Sequence, residues 1–162
     1  MHYIIDANNL AGKLGILFEP NFDKKLIELI KIFSQNKNIY YLIFDGIDFM
    51  GDKYSDNNLK IIYTPRDTYY ASADDKIVEV IKDLIINHKV EVNLVTDDLE
   101  IIAKTDIISK DNKEKKFKLI KATDFAKKIT AMADFCEDDD DEKKLNKKEM
   151  DKINQELLRL WS

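Results

Sequence analysis

The chain has 162 residues, of which 44% are hydrophobic and 35% are charged, and its formal net charge is −5 at pH 7. This length suits one domain with a buried core, and the negative charge argues against a protein that coats nucleic acid by bulk electrostatic attraction. The single cysteine, Cys136, excludes an internal disulfide, and no signal-peptide pattern or membrane-length apolar run is visible, so we expect a cytoplasmic protein.

Strand-like and helix-like segments alternate along the chain. Apolar runs typical of strands buried on both faces predict strands at 3–5, 39–44, 59–64 and 92–96. Apolar residues at helical spacing and helix-start signals predict helices at 21–35, 73–88, 98–105 and 122–135. We expect Asn21 to cap the first helix and loops to occupy 7–20 and 47–58. This alternation predicts a parallel sheet flanked by helices.

The last part of the chain differs in composition. Six consecutive acids occupy 137–142, and apolar residues at helical spacing follow them. We therefore expect a folded domain over 1–136, a solvated acidic linker over 137–143 and an amphipathic helix over 144–162. This helix either docks on its own domain or, through 144–161, binds a second copy of the chain or another protein.

Acidic residues flank the predicted elements at positions that share one edge of such a sheet. The carboxyl ends of parallel strands and the N-termini of the following helices face the same edge, where ligands bind. Six acids occupy these positions: Asp6, Asp45, Asp74, Asp75, Asp97 and Asp98. Clustered carboxylates are unfavourable without a cation between them, and oxygen ligands favour Mg²⁺ or Mn²⁺. We therefore expect metal-dependent hydrolysis of nucleic acid at this edge.

These acids also have structural interpretations. Ser72 and Asp75 fit a capping box, and Asp97 with Glu100 fits the same pattern at the next helix. Asp45 precedes a glycine and fits a turn. Each of these interpretations stays open for a single acid, whereas a functional role explains why all of them occur at one edge.

Other catalytic patterns are absent from the sequence. It contains no phosphate-binding glycine loop, no nucleophile elbow and no zinc-ligand spacing. The two histidines, His2 and His88, lie far apart along the chain. We expect each of them to be a surface or structural histidine, and Cys136 to be an inert thiol.

The order of these motifs resembles the NYN-domain branch of the PIN-like ribonucleases, particularly the YacP-like group. The opening D-G-Y-N-[LI] signature of the family corresponds to D-A-N-N-L at 6–10, and its strand ending V-F-D corresponds to I-F-D at 43–45. The helix start A-D-[DE]-x-I corresponds to A-D-D-K-I at 73–77, and V-x-T-S-D corresponds to L-V-T-D-D at 94–98. The similarity spans roughly residues 2–130.

The resemblance implies a PIN-like three-layer α/β/α sandwich with a central, mainly parallel sheet, plus the C-terminal helix. It implies a metal-dependent endoribonuclease that cleaves single-stranded or messenger RNA, and some YacP-like members act on messenger RNA during translation. Carried over by position, the family's metal-binding and catalytic acids are Asp6, Asp74 and Asp98. The supporting residues are Asn9, Asp45, Asp75 and Asp97. Asp97 replaces the usual serine, so which of Asp97 and Asp98 binds the metal stays open.

Candidate contacts to RNA are the bases nearest to the acids in sequence, with one tyrosine as a stacking surface. They are Lys13, Lys53, Arg66, Lys76 and Tyr69. The chain departs from the family at Ala7 and Asn8, which replace Gly-Tyr. This departure and the acidic balance favour an alternative function, a catalytically inactive PIN-like module that binds RNA, a ribosome or a protein partner. A receiver-like phosphoacceptor domain is a third possibility, but it requires an acid pair where only Asp6 is present.

Overall fold

The computed structural model describes residues 1–46, 53–64, 72–111 and 117–134, without the side chains of 53 and 54. One sheet contains six strands: β1 (His2–Asp6), β2 (Ile39–Asp45), β3 (Lys53–Asp56), β4 (Leu59–Thr64), β5 (Val92–Val95) and β6 (Phe117–Ile120). The helices are α1 (Ala7–Leu14), α2 (Phe22–Phe33), α3 (Ala73–Asp83), α4 (Leu99–Asp111) and α5 (122–134). A π-helical turn, Leu84–His88, extends α3.

The chain divides into two compact units, Met1–Ile129 and Thr130–Ser162. The predicted acidic linker and C-terminal helix lie outside the described residues, as do Arg66, Tyr69 and the side chain of Lys53. No described helix has the length and hydropathy needed to cross a membrane.

The sheet is mainly parallel, as predicted. Its strand order is β3-β4-β2-β1-β5-β6, and β3 is the one described strand that runs antiparallel to its neighbour. From β1 the chain proceeds through β2 to one edge, and it then returns to the other side of β1 at β5. The crevice between the carboxyl ends of β1 and β5 is therefore the topological switch point, where ligands bind in open α/β sheets.

Helices cover both faces of the sheet and produce the predicted three-layer architecture. On one face, α1, α2 and α5 bury apolar residues such as Leu10, Leu26 and Phe125 against the strands. On the other face, α3 and α4 bury Ile77 and Ile101. Neighbouring β1 residues contribute to opposite layers, which explains why the strands read as continuous apolar runs.

The predicted loop after β1 is wrong over residues 7–14, which form α1. Asp6 caps this helix, and Ala7, Leu10 and Ala11 form its fully buried face at helical spacing. Gly15 ends the helix with φ 75°, a left-handed conformation that glycine adopts without strain. The helix has only eight residues, too few for the period to stand out against its two asparagines and its glycine.

The predicted loop at 47–58 is also wrong over residues 53–56. Residues 53–56 form β3, which pairs with β4 through a tight turn at Asn57. Asn57 has φ 53°, which asparagine tolerates better than most residues. The amide of Asn58 donates hydrogen bonds to three carbonyl oxygens, including those of Ser34 and Asn38 at 2.7 Å. These bonds hold the edge hairpin against the α2–β2 connection.

Two helix ends also differ from the sequence-based predictions. Asn21 precedes α2 as predicted, but it has φ 57° and its side chain makes no capping hydrogen bond. Helix α4 extends to Asp111 rather than ending near 105, because Ile108 continues its buried face beyond Ile101. Helix boundaries depend on such tertiary contacts more than on local propensity.

Candidate active site

Asp6 lies at the switch point and is almost completely buried, with 7% of its surface exposed. Its carboxylate accepts hydrogen bonds from the backbone N–H of Asn9 at 3.2 Å and from the hydroxyl of Thr96 at 3.1 Å. Burial raises the pKa of Asp6 to about 6, and the nearby charges of Asp74 and Asp98 act in the same direction against these two hydrogen bonds. Asp6 therefore titrates close to neutral pH.

Asp74 occupies the first turn of α3 and is partly buried. Burial is the main cause of its raised pKa. The negative charges of Asp98, Asp45 and Glu100 raise the pKa further, while Lys104 opposes the shift. Among the described residues, no group donates a hydrogen bond to its carboxylate. Asp74 therefore belongs to the same electrostatic cluster as Asp6 but keeps its oxygen atoms available.

Asp98 caps α4 and is connected to Asp6 through Thr96. Oδ1 of Asp98 accepts hydrogen bonds from the N–H groups of Glu100 at 2.8 Å and Ile101 at 3.4 Å. The N–H of Asp98 donates to the hydroxyl of Thr96 at 3.0 Å, and that hydroxyl donates to Asp6. Thr96 is fully buried and links the carboxylate of Asp6 to the backbone of Asp98. We call Asp6, Asp45, Asp74 and Asp98 the acid rim.

Thr96 is a site residue that the sequence-based prediction missed. It occupies the threonine position of the V-x-T-S-D signature, so the resemblance contained a signal for it. A threonine at a strand end has many ordinary explanations, and its bridging role depends on the β1–β5 pairing.

Asp97 faces away from the acid rim and caps α5. It accepts hydrogen bonds from the N–H groups of Ala122 at 3.0 Å and Thr123 at 3.3 Å, and from the Thr123 hydroxyl at 2.7 Å. The Thr123 hydroxyl is the main cause of its lowered pKa. The predicted capping pair of Asp97 with Glu100 is wrong, because Asp98 caps α4. Since both oxygens of Asp97 are engaged at α5, Asp98 is the better placed of the two for the acid rim.

The two asparagines after Asp6 fasten the ends of the strands on either side of β1. The Asn8 amide donates to the carbonyl oxygen of Asp45 and accepts from its N–H, both at 3.1 Å. Oδ1 of Asn9 accepts from the N–H of Asp97 at 3.1 Å, while its backbone N–H supports Asp6. Asn8 stands where the family has tyrosine, so the resemblance gave no signal for this role.

Asp75 makes structural contacts despite lying next to Asp74. Its N–H donates to the Ser72 hydroxyl oxygen at 3.3 Å, and its carboxylate lies 3.3 Å from the same hydroxyl, so the predicted cap at Ser72 is confirmed. Its other oxygen lies 3.4 Å from the ammonium of Lys104. These contacts stabilise the start of α3.

The two predicted RNA-contacting lysines with described side chains are both ion-paired. Lys13 lies 3.4 Å from Asp97, with 42% of its side chain exposed. Lys76 lies 2.8 Å from Glu79 and faces a groove beside α3 rather than the acid rim. Surface ion pairs of this kind are weak.

The acid rim does not form a closed metal cage. Across the described ranges, no three acidic, histidine or cysteine side chains converge as a ready-made metal-binding group. Its donors are hard carboxylate oxygens, and Mg²⁺ binds proteins through one or two carboxylates with water and substrate phosphate completing its shell. A cation would also relieve the repulsion that, in addition to burial, raises the pKa values of Asp6 and Asp74. The donor set therefore fits hydrated Mg²⁺ or Mn²⁺.

The comparisons with known proteins bear on the fold. No protein-family model matches the chain, and no curated protein sequence does. The chain is similar in structure to Rae1 (YacP) from Bacillus subtilis, with a TM-score of 0.62 and 18% sequence identity over 99% of this chain and 92% of that one. This likeness and the six-stranded sheet establish the α/β/α fold expected from the resemblance to the YacP-like group.

Proposed function

We propose that this protein is a metal-dependent endoribonuclease that cleaves single-stranded RNA at the acid rim. The observation that carries the proposal is the electrostatic coupling of Asp6, Asp74 and Asp98 at the topological switch point. Beyond the effect of burial, the charges of Asp74 and Asp98 raise the pKa of Asp6, and the charge of Asp98 raises the pKa of Asp74, which is unfavourable for a purely structural arrangement. Such perturbed clusters in a crevice are typical of functional sites.

Asp74 and Asp98, together with ionised Asp6, would hold the cation. Mg²⁺ or Mn²⁺ bound there would acidify an attacking water and neutralise charge on the scissile phosphate. The Thr96 hydroxyl orients Oδ2 of Asp6, and the Asn9 N–H orients Oδ1. Without metal the pKa of Asp6 is about 6, so its carboxylate is mostly ionised at pH 7 and able to bind a cation.

The proposed substrate is single-stranded RNA, with messenger RNA on the ribosome as the specific case that the resemblance suggests. A chain with net charge −5 has to attract this polyanion through local contacts. Lys13, which is half exposed and paired with Asp97 at the end of β5, is a proposed contact of this kind. Lys53, Arg66 and Tyr69 remain proposed contacts outside the described side chains.

RNA cleavage with and without metal tests the proposal. The purified chain is incubated with a 5′-labelled single-stranded RNA in Mn²⁺, in Mg²⁺ or in EDTA. We expect cleavage only with metal, and a loss of more than about 100-fold in Asp98→Asn. The exposed carboxylate of Asp106, paired with Lys110 on the same helix, gives the matched control Asp106→Asn. Cleavage that survives both EDTA and Asp98→Asn contradicts the proposal.

The open geometry of the acid rim favours one alternative, a PIN-like module that binds RNA, a ribosome or a protein without cleaving. Its supporting observation is that the described acids do not form a ready-made metal group. Measurable RNA or ribosome binding, with no turnover and no heat of Mn²⁺ binding, would establish this alternative.

A further inference from the structure

A groove of about 640 Å³ lies between α3 and the sheet, on the face opposite α2. Its polar lining residues include His2, Tyr41, Ser55, Lys60 and His88. Apolar side chains such as Val80 and Leu84 form part of its wall. This volume is typical of sites for small organic ligands, and the lining residues do not include any member of the acid rim.

The two histidines of the chain meet at this groove although they are distant in sequence. Nδ1 of His2 is buried and has no hydrogen-bond partner in the described part of the chain. Burial, the amino terminus, Lys60 and His88 lower the pKa of His2, so its ring is neutral at pH 7. A buried ring nitrogen without a partner is unfavourable.

Lys60 supplies a positive charge to the groove, and the two carboxylates of the described lining, Glu79 and Asp83, lie against Lys76 and His88 rather than Lys60. Its ammonium lies 3.2 Å from the Tyr41 hydroxyl and 4.9 Å from the centre of the Tyr41 ring. Among the described residues, no carboxylate lies within ion-pair distance of Lys60, whereas Lys76 pairs with Glu79. The Tyr41 hydroxyl accepts from Lys60 and keeps its own proton to donate.

We propose that this groove binds a nucleotide unit through its phosphate. The Lys60 ammonium, the Tyr41 hydroxyl and the His2 imidazole are the donors that a phosphate requires. A phosphate alone needs neither this volume nor an apolar wall, and Val80 with Leu84 provides a surface for the sugar and base. The nucleotide is either a free mononucleotide or a nucleotide of an RNA strand. This site goes beyond the proposed nuclease function, since it does not depend on cleavage.

The histidine resonances provide a direct test, because both histidines of the chain lie in the groove. The full-length chain, labelled with ¹⁵N and ¹³C, is titrated with uridine monophosphate, with inorganic phosphate and with a short single-stranded RNA in EDTA. We expect saturable shifts of the His2 and His88 ring signals. Lys60→Gln should weaken this binding about tenfold or more, the loss typical of a hydrogen bond to a charged group.

Lys118→Gln is the matched control, since it removes an exposed lysine from the edge strand β6. It should leave the binding within about twofold of wild type. Saturation by the mononucleotide identifies a free nucleotide as a ligand, and a response to RNA alone identifies an RNA strand; both results support the site. No saturable histidine shift with any probe, or equal weakening by the two lysine variants, would overturn it. The titration of the wild-type chain shows by itself whether the histidine signals shift, so this part of the test does not depend on the folding of any variant.

Discussion

Replacing Asp6 with asparagine should stabilise the protein at neutral pH while removing a proposed catalytic group. The pKa of Asp6 rises from 3.8 in the unfolded chain to about 6 in the folded one. The folded state therefore holds a proton that the unfolded state releases between these values, so stability falls as the pH rises from about 4 to 6. This difference in pKa corresponds to about 3 kcal/mol above pH 7. Asparagine keeps the shape and one of the two acceptor oxygens, as a protonated carboxyl group does, without ionising.

Urea unfolding of wild type and Asp6→Asn, in EDTA, measures this effect. We expect the variant to be about 2–3 kcal/mol more stable at pH 7.5, and the difference to fall to about 0.5 kcal/mol at pH 4. Asp124→Asn, at an exposed position on α5, should change stability by less than about 0.5 kcal/mol. If Asp6→Asn is less stable than wild type at pH 7.5, or if the difference in their free energies of unfolding does not depend on pH, the claim that the site disfavours ionised Asp6 is wrong.

Substitutions at three further residues test the contacts that assemble the acid rim, each by urea unfolding and RNA cleavage. Asn8→Ala removes both hydrogen bonds to the Asp45 backbone and should cost about 1–2 kcal/mol; unchanged stability would show that this link is dispensable. Thr96→Val leaves Asp6 and the N–H of Asp98 without their shared partner. It should lower the free energy of unfolding by about 2 kcal/mol and slow cleavage, whereas Thr96→Ser should keep the stability and the cleavage rate of wild type. Equal losses in the two variants would contradict the bridging role. Asp97→Ala removes the cap of α5 and should lower the free energy of unfolding by about 1–2 kcal/mol at pH 7. This difference should become smaller at acidic pH, because the wild-type carboxylate is then protonated.

The architecture was predictable from the sequence because its main strands are buried on both faces. The runs at 39–44 and 59–64 have no competing interpretation as amphipathic surface helices, and they coincide with β2 and β4. The two elements that the sequence-based prediction assigned to loops have a different origin. Helix α1 is short and depends on burial against β2, and β3 is an edge strand defined by pairing with β4. Local sequence patterns carry little information about burial against another element or about pairing between strands.

The candidate site was predictable at the level of strand ends but not of side-chain direction. Topology alone places Asp6 and Asp98 at one edge, because β1 and β5 are parallel neighbours. Asp97 and Asp98 are adjacent in sequence, yet one caps α5 and the other caps α4. Which carboxylate faces the crevice depends on where α5 begins relative to β5, and this position is set by the tertiary structure. The same holds for Asn8, whose partner Asp45 lies 37 residues away.

The adjacent pair Asp74 and Asp75 offers the most direct test of the claim that the acid rim cleaves RNA. Asp74 couples electrostatically to Asp98, whereas Asp75 contacts Ser72 and Lys104. Single-turnover cleavage of one RNA at saturating Mn²⁺ should fall more than about 100-fold in Asp74→Asn and less than about threefold in Asp75→Asn. Equal rates in the two variants, or full activity in Asp74→Asn, would contradict the account.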